Sequence, residues 1–405
     1  MTVHLNQKRL VDTFLQLVQI DSESGTEKNM QEYVAAELKK LGCRVVVDKA
    51  GKKFTTNAQG NVMGFFPGTV KSAPFVLVAH LDTVKPGQGI KPVVKKDCIV
   101  SDGKTILAAD DKAGVAIILE VLHSLKETNV PHPPVEVLFT LCEERGMYGS
   151  KNLDYKQLKG REGLILDNEG GDELLIQGPA VNDIVVDVTG ISAHAGACPE
   201  KGISALEVAA YAISHMKLGR IDKETVANFG AVQGGQVPNA VMEKLSLIGE
   251  ARSLKMEKLT KQTAHMKKAF ELAIKKYTKK IDGKVCKPVV DFKASLRYPS
   301  VQISKSHPVV KALVAAAKRL KLPLYPRSSG GGCDANVLSG KGFTVPNLSV
   351  GVYNCHTVRE KLVLKEFYAA YALTWAAVTS YKKLGNLCFA TWSAGCYCCR
   401  WWCWE

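Results

Sequence analysis

"VEVLFTLCEE", residues 135–144, decides how this chain is read. Val135, Val137, Leu138, Phe139 and Leu141 make a run too apolar for a strand with one wet face. Such a run is a strand covered on both sides, as in a parallel sheet flanked by helices. It stops on Glu143 and Glu144. An acidic pair at a strand end ordinarily marks the chain surfacing into solvent, and it also marks a site, so the rest of the chain has to choose.

Outward from that strand the pattern repeats. "QKRLVDTFLQLVQI" and "KNMQEYVAAELKKLG" carry apolar residues at helical spacing, the second closed by Gly42. "CRVVVD", "NVMGFFPG", "APFVLVAHLD" and "GLILDNEG" read as strands and "KAGVAIILEVLHSLKE" as a helix. The expected fold class is therefore α/β, with the first part of one domain over 1–180. From 181 to 295 the order changes to β-α-β-β-α-β, the split pattern of a ferredoxin-like α+β domain, here an insertion. Residues 296–385 resume helix, strand, helix and complete the first domain. The stretch 386–405, "NLCFATWSAGCYCCRWWCWE", fits neither pattern and holds five of the twelve cysteines and four of the five tryptophans. Its cysteines lack the paired Cys-x-x-Cys arms of a zinc ribbon, and it reads as an appended tail.

Composition narrows the class. A chain of 405 residues with 46% hydrophobic and 23% charged residues is an ordinary globular protein large enough for two domains. The first twenty residues lack the h-region of a signal peptide, and no uncharged apolar run reaches the roughly 18 residues of a membrane span. The expectation is a cytoplasmic protein without membrane contact, its scattered cysteines reduced. The net charge of +15 comes largely from Lys on the polar side of helical patterns, and no nucleic-acid-reading motif accompanies it, so nucleic acid is not an expected partner.

The ends of the other strands settle the question. "VLVAHLDTV" brings His80 and Asp82 out two residues apart, on one face. "LILDNEG" ends on Asp167 and "LSVGVYNCHTVRE" reaches His356, while "TILAADDKAGVA" places Asp110 and Asp111 just before a helix. In open α/β sheets the carboxyl ends of the strands form the ligand crevice. His80, Asp110, Glu144, Asp167 and His356 thus meet at one rim as two imidazoles and three carboxylates, a donor mix suited to Zn²⁺, Mn²⁺ or Co²⁺. Five donors exceed one tetrahedral ion and fit two sharing a carboxylate. Adjacent strand residues point to opposite sides, so one of Glu143 and Glu144 is expected to ligate and the other to move protons. Asp82 suits the role of fixing the His80 tautomer.

The set "HLDT", "ADDKAG", "CEERG", "LDNEG", "SAHAGACPEKGISAL", "GGGCDANVL" and "NCHTVRE" resembles the co-catalytic zinc exopeptidases that include peptidase T, carboxypeptidase G and the aminoacylases, with the peptidase T spacing nearest. The resemblance runs in order over about residues 8–384. The resemblance implies one ion on His80 and Asp167, another on Glu144 and His356, Asp110 bridging them, Glu143 as general base, and a cis peptide between Asp110 and Asp111. In the inserted domain it implies His194 on the scissile carbonyl, Asn239 as a further contact and Arg252 on a substrate carboxylate. It also implies a pocket-lining role for Gly330, Gly331 and Asp334; the ordinary alternatives are a loop hydrogen-bonder, turn residues and a surface ion pair.

The expected activity is hydrolysis of a peptide bond in small peptides, foremost an aminopeptidase acting on tripeptides, with a hydroxide held by two zinc ions. A homodimer through the inserted domain is also expected. The alternatives are an N-acyl-amino-acid amidohydrolase or carboxypeptidase on the same centre and, from another class, an inactive metal-bearing binding protein.

Overall fold

The computed structural model describes residues 3–53 and 60–381. The tail from 386 on and the last residues of the 296–385 segment lie outside the described residues. The chain divides into two compact units. The first comprises Met1–Ile176, Ile303–Arg327 and Cys333–Glu405; the second comprises Gln177–Gln302 and Ser328–Gly332.

Four parallel strands form the middle of the first unit's sheet, in the order Val135–Thr140, Phe75–His80, Glu162–Glu169, Asn347–Tyr353. Val62–Phe66 and Arg44–Val47 extend it antiparallel on one side, and Lys361–Val363, Cys98–Val100 and Val93–Val94 on the other. Every residue of the 75–80 and 135–140 strands is buried, as their unbroken apolar pattern requires. Glu136 is the apparent exception. It is 3% exposed, and its carboxylate accepts the backbone N–H groups of Lys159 and Gly160, so the buried charge is hydrogen-bonded.

Helices cover the sheet because each offers an apolar stripe. The helix Ala109–Thr128 is buried along most of its length and packs on the 75–80 and 162–169 strands, beside the helices Gln7–Val18 and Leu364–Ser380. Its approach is close enough to require Gly114, where a Cβ would lie 2.3 Å from the carbonyl oxygen of Leu166. Phe14, Phe367, Tyr371 and Trp375 are fully buried in this core. Each such side chain contributes roughly 1.5–3 kcal/mol by leaving water. Helix Lys28–Leu41 ends where its sequence says it should: Gly42 takes φ 97° and its N–H reaches back to Leu38 and Lys39.

In the second unit, Ala180–Thr189, Thr225–Gly234, Lys244–Ser253 and Val289–Tyr298 form an antiparallel sheet, with the short strand Gly219–Arg220 at its edge. The helices Ala205–Ser214 and Met256–Tyr277 fall in the sequence as β-α-β-β-α-β, and the first strand lies between the third and the fourth, the ferredoxin-like arrangement. Ile184, Val186, Leu247, Leu259, Met266 and Phe270 fill the core between sheet and helices.

Among the described residues all seven cysteines are free thiols, and no helix is long and apolar enough to cross a membrane.

Candidate active site

The carboxyl ends of the first unit's parallel strands carry the predicted donors. His80 ends its strand and is 2% exposed. Asp167 lies where the pairing of 162–169 with 347–353 is irregular, and Asn347 bridges the gap, its side-chain oxygen accepting the Asp167 N–H and its amide donating to the Asp167 carbonyl. Such bulges re-aim a side chain out of the ladder. Asp110 follows Ala108, which takes φ 57°, and the Asp110–Asp111 peptide is cis. Glu143 follows Cys142 at φ 48°, and His356 itself takes φ 63°. Three non-glycine residues in the left-handed region, all at site loops, need support from their surroundings.

Asp110 stands between the two imidazoles. Its Oδ1 lies 3.0 Å from His80 Nε2 and its Oδ2 3.2 Å from His356 Nε2. Asp167 Oδ1 is 3.6 Å from His80 Nε2, and Glu144 Oε1 is 2.8 Å from His356 Nε2. Two groups of close donor atoms result, His80–Asp110–Glu144 and His80–Asp111–Asp167. Asp111 is the less free of the added donors, since its oxygens already accept the N–H groups of His80 and Gly114. A cavity of about 350 Å³ opens over this cluster, lined by Asp110, Asp111, Asp167, Asn168, Glu169 and His356 among others.

Glu143 and Glu144 part ways. Glu144 turns to His356, whereas the Glu143 carboxylate has no hydrogen-bond partner among the described residues. Asp82 governs both, its Oδ1 accepting the Glu143 N–H at 2.9 Å and its Oδ2 the Glu144 N–H at 3.2 Å, with the Ser24 hydroxyl at 2.6 Å. His80 Nδ1 lies 2.9 Å from the Asp82 backbone carbonyl and 3.4 Å from its carboxylate, so the main chain is the nearer partner of the ring. The Asp82 carboxylate does more for the glutamate turn than for the imidazole.

Burial and close charges shift the protonation of this cluster. Burial alone would raise Asp110, yet its bonds to His356 and His80 hold it far below the carboxylate range. Burial and repulsion, chiefly from Asp167, push Asp111 and Glu143 well above that range, and burial pushes Asp167 to about 7. His80 overcomes its burial through Asp110, Asp167 and Asp82 and is raised well above the usual imidazole value; His356 is pushed up to about 10 by Asp110 and Glu144. Six carboxylates (82, 110, 111, 143, 144, 167) face two imidazoles, and protons alone make up the missing positive charge. A pair of divalent cations would supply it, and Asp110, with one oxygen toward each imidazole, fits a shared ligand.

Residues that the sequence reading missed hold the loops. Glu360 is 1% exposed and accepts the N–H groups of Leu107, Ala108 and Asp110 at 2.7, 2.8 and 3.0 Å. Glu27, fully buried, accepts the Cys142 N–H and thiol. Their signal was present, an acid in "HTVRE" and another in "SGTEK", but their partners lie more than a hundred residues away. Asp334 is 2% exposed, and its oxygens accept the hydroxyls of Thr140 and Ser150, so it ties the helix Asp334–Ser339 to the sheet.

The other predicted contacts belong to the second unit. His194 accepts the Gly196 and Ala197 N–H groups on Nδ1, which leaves Nε2 carrying the hydrogen. Asn239 is exposed, and its carbonyl accepts the Ala195 N–H. Arg252 is engaged by a residue not foreseen: Nε donates to Glu250 at 2.5 Å, which raises the guanidinium pKa, while Nη1 donates to the Gly330 carbonyl at 3.3 Å. Gly330 and Gly331 are exposed, and the Gly331 N–H is held by Ser329.

Comparison with known proteins adds the lineage. Residues 76–380 match the family model described as Peptidase family M20/M25/M40. The aminopeptidase PepT of Bacillus cereus superposes with a TM-score of 0.87 at 38% identity, covering 93% of this chain and 99% of that one. A tripeptidase of Staphylococcus aureus does so with 0.87 at 34%, covering 94% and 99%. The uncharacterized protein YqjE of Bacillus subtilis is 37% identical over 380 residues, 94% of this chain and all of its own. With the parallel sheet and the rim of carboxylates and imidazoles, these matches make the chain a peptidase, a member of peptidase family M20/M25/M40.

Proposed function

We propose that this protein is a metal-dependent aminopeptidase that removes the N-terminal residue of small peptides, tripeptides foremost. The observation that carries the reading is the division of labour around Asp110: its two oxygens face two separate donor groups, while the neighbouring Glu143 carboxylate is left without a partner. His80 and Asp167 would hold one ion, Glu144 and His356 the other, and Asp110 both. Zn²⁺ suits the mixed nitrogen and oxygen donors, with Mn²⁺ or Co²⁺ as substitutes. Bound there, the ions polarise the scissile carbonyl and bring the pKa of water near neutrality.

Glu143 takes the proton from the attacking water and returns it to the leaving amine. Asp82 fixes the direction of that carboxylate by gripping the N–H groups on either side of the Glu143 Cα. Glu360 holds Asp110 in place through the 107–110 backbone. In the second unit His194 offers an N–H to the carbonyl oxygen that becomes negative in the transition state. Arg252 recognises a substrate carboxylate, with Asn239 and the loop at Gly330 and Gly331 as further contacts. The ferredoxin-like unit is also the proposed dimerisation surface. Free cysteines throughout the described residues agree with a cytoplasmic setting.

The test is a mass-spectrometric assay of a tripeptide, a dipeptide, an N-acetyl amino acid and an acyl-glutamate, with added Zn²⁺, Mn²⁺ or Co²⁺. Release of the N-terminal residue, abolished by Glu143→Gln, is the expected result. Cleavage of the acylated compounds alone would assign the chain to the amidohydrolase alternative, and two bound ions without cleavage of any compound would make it a binding protein.

A further inference from the structure

An aminopeptidase has to recognise a free α-amine, and neither the donor set nor Arg252 does so. The cavity over the donors contains one acid without an assignment. Of its lining residues, Asp110, Asp167 and His356 are donors, and Asp111 is tied to the backbone of His80 and Gly114. Asn168 is turned to Ser349 and to the Glu169 carbonyl. Glu169 remains. It is exposed, and no Lys, Arg or His pairs with it among the described residues. Its Oε1 accepts the Cys355 N–H at 2.7 Å, and the Cys355 thiol lies against the same carboxylate. The side chain is therefore anchored at the cavity wall while its charge is left without a counter-ion.

Its position suits an amine. Glu169 follows Asp167 by two residues on one strand, and both line the cavity. The strand is irregular here, and Asp167, Asn168 and Glu169 all line the same cavity. A peptide's α-nitrogen sits two bonds, about 2.5 Å, from the carbonyl carbon under attack. A carbonyl held beside Asp167 thus leaves its ammonium group inside the cavity that Glu169 also lines. We infer that Glu169 is the specificity-determining residue that receives the protonated α-amine of the substrate, an inference that rests on the aminopeptidase reading above. The charge-assisted N–H···O bond so formed has no equivalent for an acylated amine. An uncharged N-acyl group would instead leave the Glu169 charge unanswered in a cavity already rich in carboxylates.

Glu169→Gln separates this role from simple support of the Cys355–His356 turn, because the amide oxygen still accepts the Cys355 N–H and only the charge is lost. KM for a tripeptide is expected to rise about 10- to 100-fold, the range for a lost charge-assisted bond, with kcat changed by only a few-fold. Slow turnover of the same peptide bearing an N-acetyl group should be unchanged or faster, so the preference for a free amine collapses. Zinc content measured by mass spectrometry should stay at the wild-type value in this variant. An unchanged KM in Glu169→Gln, or an equal loss for free and acetylated peptides, would overturn the assignment while leaving the aminopeptidase standing. A wild-type enzyme that cleaves only acylated substrates would remove both.

Discussion

The two units treat their candidate residues differently. In the first, all the donors but the exposed His356 lie in a web of contacts: His80 is buried, Asp82 and Glu360 each accept three hydrogen bonds, and left-handed residues are pinned at Ala108 and Cys142. In the second, Asn239, Gly330 and Gly331 are exposed, and Arg252 leans on Glu250. Chemistry needs a fixed arrangement before the substrate arrives, because reorganising charge during the reaction costs barrier height. Selection among substrates tolerates side chains that adjust. The contrast predicts that damage to the buried donor set removes turnover and damage at Arg252 changes preference.

The hardest test of that contrast is Asp110→Ala. If both ions depend on this residue, bound zinc falls from two equivalents to one or fewer and turnover drops to background, as it should in wild type after chelation; retention of both ions would break the shared-ligand reading. Glu143→Gln comes next. It should keep both ions and lose about 10²- to 10⁴-fold in kcat, the usual contribution of a general base, as stopped assays with parallel metal analysis would show. Glu360→Gln should weaken zinc binding about 10- to 100-fold in titration calorimetry, the scale on which outer partners of metal ligands act. A variant with wild-type affinity would mean that the 107–110 loop holds its shape unaided. The smallest effect is expected from the second unit. Arg252→Ala should raise KM for a tripeptide with a free C-terminal carboxylate by roughly 10-fold and leave the corresponding amide nearly unaffected. A large kcat loss for both would erase the distinction between the donor set and Arg252.

The sequence carried the first unit's plan because the relevant signals are local. An unbroken apolar run announces a covered strand, and the residue at its end is read in the same ten-residue window, as with His80 and Glu144. The β-α-β-β-α-β order of the second unit was legible for the same reason, since each element declares its own period. What stayed hidden depends on contacts between distant segments. Glu27 and Glu360 look like solvated acids until the chain brings them under Cys142 and Leu107. Asp334 looked available beside three glycines, and only the fold reveals Thr140 and Ser150 waiting beneath it. Gly114, inside a helical pattern, gave no hint of the Leu166 carbonyl it must clear.

The order of the central strands also bears on how the protein is made. The strand at 347–353 pairs with 162–169, yet the ribosome has to synthesise the whole ferredoxin-like unit between them. At about 5–20 residues per second, His356 emerges roughly 10–40 s after Asp167. During that interval the nascent chain exposes one flank of a buried strand and carries most of the acidic cluster without its second imidazole. The chain therefore passes through a stage in which His80, Asp110 and Asp167 exist before Glu144 has its partner. The pairing of Glu144 with His356 is thus among the last features of the candidate site to form.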